Sequence, residues 1–354
     1  MKALVLSGGT GSRLRPITHT SAKQLVPVAN KPVLFYGIEA IRDAGIKEIG
    51  IIVGGTKEEI KAAVGDGSQW GVKVTYIEQE APLGLAHTVV IAREFLGDEP
   101  FVMYLGDNLV KSGITNLVRA FEAEKPNASI LLSRVKDPQR FGVAELKDGR
   151  VVNLVEKPKV PRSDLALVGV YMFDRNIHEA VRAIKPSWRG ELEITDAIQY
   201  LVDKGYEVKP HIVDGWWKDT GKVEDMLEAN RIMLEDIQPA MAGEVDETSS
   251  IEGRVVVEEG TEIINSVLRG PIVVGRGCKI IDSYIGPFTA IYHGVEIRGS
   301  EVEHSIILEN SKILEIGSRI ENSLIGRNVR VHHTERRPKS YQLVLGDNSE
   351  VGIQ

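Results

Sequence analysis

Short apolar runs alternate with stretches of helical spacing along residues 1–238 of this chain. Residues 3–6, 49–53 and 101–105 are apolar runs, and the last two end at a glycine, as buried parallel strands do. Residues 57–64 and 84–95 place apolar side chains at helical intervals. This alternation predicts an α/β domain with a doubly wound, mostly parallel sheet that binds ligands at the carboxyl ends of its strands.

Beyond residue 250 a shorter repeat replaces the helical period. Apolar residues recur six positions apart at Ile285, Ile291 and Ile297, and again at Val302, Leu308, Leu314 and Ile320. A second register of seventeen positions joins Ser266, Ser283 and Ser300. Both spacings are typical of a hexapeptide-repeat parallel β-helix with three short strands per coil. The alternative is an antiparallel sandwich with accidental spacing. We predict one domain over 1–238, a linker over 239–250, and a β-helix domain with a C-terminal tail over 251–354.

Composition narrows the class of protein without changing this division. The 354 residues are 42% apolar and 26% charged, which is ordinary for about two globular domains. A formal net charge of -7 argues against a general nucleic-acid binder. No apolar segment approaches the length that spans a membrane, and the one cysteine, Cys278, cannot form an internal disulfide. We therefore expect a cytoplasmic protein.

A glycine-rich turn with two arginines follows the first apolar run, in the segment Ser7-Gly8-Gly9-Thr10-Gly11-Ser12-Arg13-Leu14-Arg15. Glycines let several backbone N–H groups point at one anion, and arginine adds donors matched to phosphate oxygens. The dinucleotide-binding pattern fails because Leu14 stands where its third glycine should be, and no Walker pattern is present. The turn therefore predicts a different kind of polyphosphate site. The alternative is an ordinary connection with solvent-facing basic residues.

This turn and the run Lys23-Gln24-Leu25-Val26-Pro27-Val28 together resemble the signature of the sugar-1-phosphate nucleotidylyltransferases, and within them the glucose-1-phosphate thymidylyltransferases. The resemblance implies transfer of a thymidylyl group from dTTP to glucose 1-phosphate, giving dTDP-glucose and pyrophosphate. It also implies Mg²⁺ as cofactor, a left-handed β-helix as in the long forms of these enzymes, and a homo-oligomer, either trimer or tetramer.

Such a reaction brings two anions together, so it needs charge neutralisation and alignment more than proton transfer. By the resemblance, Arg13 holds the departing β- and γ-phosphates and Lys23 lies across the α-phosphate. Lys157 holds the phosphate of the incoming sugar, and Arg189 is a second candidate for that role. Taken alone, any one of these residues is more often a solvated surface cation.

Two aspartates are the expected metal ligands, since Mg²⁺ prefers carboxylates, phosphates and water. Asp107 comes directly after the apolar run 101–105 and Gly106, at the strand end where α/β sheets keep their sites. The resemblance pairs it with Asp219 and makes Asp107 a catalytic residue. The alternative for both aspartates is a structural one, because Asp107-Asn108 and Asp219-Thr220-Gly221 are also sequences that commonly form turns.

Side-chain amides can select a base because they offer both a donor and an acceptor. The resemblance assigns this role to Gln24 and Gln79, and it assigns the remaining nucleotide contacts to Leu6, Gly8, Gly9, Thr10, Gly11, Pro82 and Gly84. Leu83 stands where the commonest short-form pattern has an aspartate, which weakens any claim about the fine contacts of that loop. Thymine and uracil differ by one methyl group, which discriminates between them by only about 1–3 kcal/mol. The choice between these two bases therefore stays open.

The hexose pocket is the last site that the resemblance assigns. Its residues are Asn108, Gly142, Glu156, Gly169, Tyr171 and Arg189. Glu156 would accept hydrogen bonds from sugar hydroxyls and Tyr171 would form an apolar wall. The alternative for 168–173 is a plain core strand, which we prefer for Val170 and Phe173.

Three roles compete for the β-helix: an oligomerisation platform, which we favour, a regulatory ligand site, and a sugar acyltransferase. The last needs a general base, for which the histidines available are His293, His304, His332 and His333. For the whole chain, the rivals to thymidylyl transfer are uridylyl or cytidylyl transfer, another sugar 1-phosphate, and a non-catalytic sensor. A sensor would be expected to lack Arg13, Lys23 or Asp107, and all three are present.

Overall fold

The computed structural model describes residues 1–9 and 11–334, which form two compact units. The first unit holds residues 1–9, 21–25 and 33–219, and the second holds residues 11–20, 26–32 and 220–334. No helix in these described ranges is long and apolar enough to cross a membrane.

Strands and helices alternate along residues 1–238, as predicted. The strands up to residue 219 are β1 Lys2–Leu6, β2 Pro27–Val28, β3 Lys31–Pro32, β4 Glu48–Val53, β5 Lys73–Glu78, β6 Phe101–Leu105, β7 Asn108–Val110, β8 Ala128–Arg134, β9 Gly142–Lys147, β10 Arg150–Glu156, β11 Leu165–Phe173, β12 Val208–Ile212 and β13 Trp217–Asp219. The α-helices are α1 Val33–Asp43, α2 Lys57–Val64, α3 Leu85–Ile91, α4 Arg93–Leu96, α5 Thr115–Glu124, α6 Ile177–Ala183, α7 Ile194–Asp203 and α8 Val223–Leu234. Short 3-10 helices are Ser12–Leu14, Ile17–His19, Lys23–Leu25, Ser68–Trp70 and Pro138–Arg140.

The main sheet of the first unit has the order β10-β9-β11-β6-β1-β4-β5, and β8 and β12 join it beside β11. Strand β1 pairs in parallel with both β4 and β6, and the side chains of its residues 3–5 are fully buried. The α/β fold and its parallel centre are therefore confirmed. The part built around β11 differs, because β11 pairs antiparallel with β6, β8 and β9.

The order of these strands places a crevice at the carboxyl end of β1. The chain runs from β1 to β4 and β5 on one side and then returns to β6 on the other side. Such a switch separates the loops that follow the two central strands, which is where open α/β sheets bind ligands. Leu6 and Leu105 pair at the ends of β1 and β6, and the Gly106 N–H donates to the Leu6 carbonyl at 2.9 Å. The residues after Leu6 and after Leu105 therefore start from the same place.

The second unit contains the predicted β-helix. Its strands are β14 Ala240–Met241, β15 Glu244–Val245, β16 Ser250–Glu252, β17 Val255–Val257, β18 Glu262–Ile264, β19 Val267–Arg269, β20 Ile272–Val274, β21 Lys279–Ile281, β22 Tyr284–Ile285, β23 Thr289–Ile291, β24 Glu296–Arg298, β25 Glu301–Glu303, β26 Ile306–Ile307, β27 Lys312–Leu314, β28 Ile320–Glu321, β29 Leu324–Ile325 and β30 Arg330–His332. Three consecutive strands contribute one strand each to three separate sheets, whose order is β14-β17-β20-β23-β26-β29, β15-β18-β21-β24-β27-β30 and β16-β19-β22-β25-β28. Every pair in these sheets is parallel, so the sandwich alternative is wrong for the described coils.

Stacked isoleucines fill the interior of the coils. Ile263, Ile280, Ile297 and Ile313 pair in register along one sheet and are at most 1% exposed. The seventeen-residue register of serines also has a physical reason. Ser266 Oγ donates to the Ile264 carbonyl at 2.7 Å and accepts the Ser283 N–H at 3.0 Å. Each serine thus ties one coil to the next at the same corner.

The segment 239–250, which we expected to be a linker, contains β14 and β15. These strands pair with β17 and β18, so pairing of the coils begins before residue 250. The domain boundaries and the handedness of the coil stay predictions.

Candidate active site

The two predicted metal residues meet through strand pairing, although they are far apart in sequence. Asp107 follows β6, and the next residue, Asn108, begins β7. Strand β13 pairs antiparallel with β7, which sets Asp219 opposite Asn108. The two aspartates therefore lie one residue apart in the register of this small sheet.

Lys23 and Asp107 form a largely buried ion pair. The Lys23 Nζ contacts Asp107 Oδ2, and the two side chains are 11% and 16% exposed. Burial raises the pKa of Asp107, but the Lys23 ammonium and the hydrogen bonds from Lys23 and Asn108 outweigh it, so the pKa lies below its ordinary value. Asp107 is thus held as a carboxylate at neutral pH.

The side chain of Asn108 connects Asp107 to Trp217. Its Nδ2 donates to Asp107 Oδ1 at 2.9 Å, and its Oδ1 accepts the indole N–H of Trp217 at 2.6 Å. Asn108 is 3% exposed. The residue predicted to touch the sugar therefore gives both ends of its amide to protein partners, and its sugar contact stays a prediction.

The donor set at this point fits a hard divalent cation. Asp107 and Asp219 supply carboxylate oxygens, and Oδ1 of Asp219 is buried. Among the described residues no group of three or more His, Cys, Asp or Glu side chains forms a complete metal site. A cation held here would therefore take its remaining ligands from phosphates and water, which is the usual manner of Mg²⁺.

Gly8 and Gly9 follow β1 and lie beside the side chains of Gln24 and Gln79, the two residues predicted to contact the base. A Cβ added to Gly8 would stand 3.4 Å from Gln79 Oε1, and one added to Gly9 would stand 3.6 Å from Gln24 Nε2 and 3.7 Å from Lys23 Cε. The loop, both amides and the lysine are therefore neighbours. Thr10 lies outside the described residues, and Leu6 is a core residue at the end of β1, only 7% exposed.

Gln24 carries an unusual buried oxygen. Its side chain is 2% exposed, and its Oε1 accepts no hydrogen bond from any described residue. The Gln79 Nε2 lies 3.4 Å from the Gly84 carbonyl and 3.1 Å from His87 Nδ1. A buried acceptor without a donor is costly, and a ligand N–H is one explanation for its presence.

The backbone of Leu192 packs directly against Gly84 and leaves no room for a side chain there. Its φ is +103°, and a Cβ there would stand 2.6 Å from the Leu192 nitrogen. The Leu192 N–H donates to the Leu83 carbonyl at 2.8 Å, and the Ala86 N–H donates to the Leu192 carbonyl at 3.0 Å. The space beside Gly84 holds the backbone of Leu192, and its contact to the nucleotide stays a prediction. Pro82 and Leu83 are exposed.

Both cations predicted for the sugar phosphate lie beside Glu156. Lys157 Nζ and Arg189 Nη1 are each 3.6 Å from Glu156 Oε1. Arg189 also contacts Glu191 at 2.8 Å and the buried Glu193 at 3.3 Å. Burial raises the pKa of Glu156 above its ordinary value; Glu193 adds to this, while Lys157 and Arg189 act against it. The fold thus brings together three predicted residues from two separate segments.

Three other residues predicted for the hexose pocket are closely packed by protein. A Cβ on Gly142 would stand 2.5 Å from Thr195 Cγ2, and one on Gly169 would stand 2.6 Å from Leu105 Cγ. Tyr171 is 3% exposed and stacks on Phe173, with burial raising the pKa of its hydroxyl. Its ring therefore belongs to the core, and a wall contact to a sugar stays a prediction.

Arg13 and Gly11 belong to the second unit. Gly11 has a φ of +64° and directly precedes the 3-10 helix Ser12–Leu14. The exposed guanidinium of Arg13 lies against Gly221, where a Cβ would stand 2.5 Å from Nη2. A glycine two residues after Asp219 therefore makes room for the arginine.

Our sequence analysis missed Trp217, Phe141 and Ser7 as parts of the site. Trp217 holds Asn108, the Phe141 carbonyl accepts the Lys157 N–H at 3.0 Å, and the fully buried Oγ of Ser7 makes no hydrogen bond to any described residue. Trp217 could have been found, because it stands two positions before a predicted metal ligand and a buried indole N–H usually requires a hydrogen-bond acceptor nearby. The other two carried no usable signal in the sequence.

Comparisons with known proteins agree with this geometry. Residues 2–236 match the nucleotidyl transferase family. The chain is 60% identical over 356 residues to a glucose-1-phosphate thymidylyltransferase of Streptomyces antibioticus, with 100% of both chains covered. It is 59% identical to one of Streptomyces griseus over 100% of this chain and 99% of that one. A crystal structure assigned to a glucose-1-phosphate thymidylyltransferase of Bacillus anthracis aligns with a TM-score of 0.63 and 35% identity, covering 68% of this chain and 98% of that one. The chain therefore belongs to the nucleotidyl transferase family and is a nucleotidyltransferase.

Proposed function

We propose that this enzyme transfers a thymidylyl group from dTTP to glucose 1-phosphate, releasing pyrophosphate and leaving dTDP-glucose. The observation that carries the proposal is the buried Lys23–Asp107 pair beside Gly9 and Gln24 at the carboxyl end of β1. Full-length relatives with this activity in their names support the choice of substrates.

In the proposed reaction a phosphate oxygen of glucose 1-phosphate attacks the α-phosphorus of dTTP. The bond from that phosphorus to the β-phosphate oxygen breaks, and pyrophosphate leaves on the opposite side. Lys23 is close to the glycine backbone and is the residue we propose for the charge that develops on the α-phosphate. Arg13 keeps the role that the resemblance implies, on the leaving pyrophosphate.

Nucleotidyltransferases of this family generally use a divalent metal ion, and we propose Mg²⁺. When bound, this ion would neutralise charge on the phosphates. Asp107 and Asp219 would hold it, because Asp107 directly precedes β7 and Asp219 lies opposite Asn108 on the paired strand β13. Lys23 contacts the Asp107 carboxylate, so Asp107 would serve both Lys23 and the metal ion.

Glu156, Lys157 and Arg189 are the residues we propose for the incoming sugar phosphate. Two cations around one carboxylate form a site in which an arriving phosphate can compete for both cations. Glu156 would then be available to sugar hydroxyls. For the base, Gln24 and Gln79 remain the proposed contacts.

The first test is pyrophosphate release from the purified chain with Mg²⁺ and glucose 1-phosphate, comparing dTTP with UTP, CTP, ATP and GTP. A preference for dTTP is expected. Release with UTP alone would change the donor nucleotide and keep the mechanism, and no release with any of them would overturn the proposal. Chelation by EDTA should abolish release, and added Mg²⁺ should restore it.

We propose the β-helix as an oligomerisation platform in a trimer or tetramer, which light scattering on the purified chain would test. The acyltransferase alternative gains little from His293. Its Nδ1 accepts the Arg276 N–H at 3.0 Å, so the neutral ring carries its proton on Nε2 and has no free basic nitrogen. The ring of His304 packs on Phe288 with centroids 5.1 Å apart.

A further inference from the structure

The indole of Trp217 lies between two parts of the first unit. Its N–H donates to Asn108 Oδ1 at 2.6 Å, and its ring meets Phe141 edge to face with centroids 5.5 Å apart. Trp217 begins β13 and precedes Asp219 by two residues. The proposed reaction gives Trp217 no direct role.

The orientation of the Asn108 amide follows from the chemistry of its two partners. An indole N–H only donates, and an ionised carboxylate only accepts. The amide must therefore turn its oxygen toward Trp217 and its nitrogen toward Asp107, as observed at 2.6 and 2.9 Å. In the flipped amide, the NH₂ group would face the indole N–H, which is also a donor. Its oxygen would face the Asp107 carboxylate, which is also an acceptor. Trp217 thus reinforces the rotamer in which Asn108 donates to Asp107.

The other contacts of strand β7 hold its backbone and leave the orientation of the Asn108 amide to its own two hydrogen bonds. The strand is three residues long, and in the described part of the chain it pairs with β13 alone. The Tyr104 hydroxyl donates to the Asn108 carbonyl at 3.1 Å, which holds the backbone of Asn108 but does not orient its amide. Among the contacts of the described residues, the indole and the Asp107 carboxylate are therefore the two that orient the amide.

We propose that Trp217 is a positioning residue that fixes the Asp107 carboxylate through the amide of Asn108. This inference rests on the proposed function, in which Asp107 holds the metal ion. Loss of the indole N–H would leave the amide held at one end only, so its hydrogen bond to Asp107 Oδ1 would become weaker and less well aligned. The effect would fall on metal use and turnover, and the binding of the sugar would be little changed.

The kinetic test compares Trp217→Phe, Asn108→Ala and the double variant with the wild type. Phenylalanine keeps an aromatic ring against Phe141 and removes the N–H. We expect Trp217→Phe to lower kcat about tenfold and to raise the half-saturating Mg²⁺ concentration, with KM for glucose 1-phosphate changed less than about twofold. The double variant should be no slower than Asn108→Ala, because both changes break the same connection. Trp216→Phe, one residue earlier, is the matched control and should change kcat less than about twofold.

A second measurement does not depend on activity. The chain has four tryptophans, so its ¹⁵N spectrum shows four indole N–H signals, which single Trp→Phe variants assign. The Trp217 signal should exchange slowly with water in the wild type, and in Asn108→Ala it should shift and exchange faster. This spectrum tests the hydrogen bond even if no nucleotide is turned over, so failure of the proposed function and failure of this inference are separable.

Four results would overturn the inference. The first is a Trp217→Phe enzyme within about twofold of wild type while Asn108→Ala is slow. The second is a double variant whose loss is the product of the two single losses, which would make the sites independent. The third is a rise in KM for glucose 1-phosphate at unchanged kcat, which would make the ring a wall of the sugar site. An unshifted Trp217 signal in Asn108→Ala would likewise exclude the hydrogen bond.

Discussion

At the scale of single residues, the site depends on side chains whose partners lie far away in sequence. Lys23 meets Asp107 across 84 positions, and Trp217 meets Asn108 across 109. Asp107 is ionised although it is largely buried, because Lys23 and Asn108 compensate the cost of burial. Each partner that is removed therefore leaves a charge or a polar atom without compensation.

Asp107→Asn should separate catalysis from folding. It keeps the size of the side chain but removes the negative charge, so kcat should fall at least about a hundredfold. Unfolding should become easier by about 3 kcal/mol, because the Lys23 ammonium stays buried without its counter-charge. Steady-state kinetics and urea unfolding measure both. Asp98→Asn, which changes an exposed partner of Arg93, should leave kcat unchanged. A fully active and correctly folded Asp107→Asn enzyme would remove Asp107 from the metal site.

Glu156 should make stability depend on pH. Its folded-state pKa is raised, so the ionised carboxylate disfavours the folded state, and this cost disappears as pH falls through the raised pKa toward the ordinary value of about 4.3. Glu156→Gln mimics the protonated form. It should therefore raise the urea midpoint at pH 7 to 8, with the gain shrinking to nothing near pH 4. Glu122→Gln, an exposed change on α5, is the control and should leave the urea midpoint unchanged both near pH 4 and at pH 7 to 8. A gain that grows toward low pH would contradict the assignment.

At the scale of elements, two loops are held together by backbone pairing. The Leu192 N–H donates to the Leu83 carbonyl and the Leu192 carbonyl accepts the Ala86 N–H, so Gly84 lies between two hydrogen bonds to Leu192. This pairing links the loop predicted for the base to the segment that carries Arg189. Gly84, Gly142 and Gly169 all face space that other protein atoms occupy, so packing alone is sufficient to require glycine at these positions.

Gly84→Ala should disturb this pairing. The added Cβ would clash with the backbone of Leu192, and alanine is strained at a φ of +103°. We expect a rise of about tenfold in KM for dTTP and a loss of stability of about 2–3 kcal/mol. Gly45→Ala is the matched control, since its φ is +87° but nothing lies within 4 Å of the added Cβ. It should cost about 1 kcal/mol and leave KM unchanged. Equal effects of the two changes would mean that φ alone matters at Gly84.

At the scale of the whole molecule, the second unit is assembled from three separate stretches of chain. Asn230 on α8 accepts the Ala29 N–H at 2.9 Å and donates to the Phe288 carbonyl at 2.9 Å. Asn30 donates to the Ile291 carbonyl at 2.6 Å, and Ala29 packs with Phe288 in one apolar cluster. The hairpin of β2 and β3 is therefore part of the unit that contains the β-helix.

Asn230→Ala should weaken this unit. The side chain is fully buried, and its loss leaves the Ala29 N–H and the Phe288 carbonyl without these hydrogen bonds. We expect a loss of about 2–3 kcal/mol in the free energy of unfolding. Urea unfolding measures it, with Gln238→Ala, an exposed amide, as control. Equal midpoints for the two variants would mean that Asn230 contributes nothing to the assembly.

The sequence alone determined the periodic features of this protein. Apolar runs, helical spacing and the six- and seventeen-residue registers depend on neighbours along the chain, so they predicted the α/β sheet and the β-helix. The segments that carry Lys23, Asp107 and Asp219 were recognisable because their residues are contiguous. Strands β14 and β15 escaped prediction, since two-residue strands have no period to detect.

Only the tertiary structure decided which of these residues meet. The pairing of β7 with β13 sets Asp219 opposite Asn108, the residue next to Asp107, and the Trp217 indole helps to orient Asn108, because hydrogen bonds across strands follow from register and not from order in the chain. The same reason explains the glycines. A missing Cβ can serve a ligand or a neighbouring backbone, and only the fold shows that Leu192 occupies the space beside Gly84.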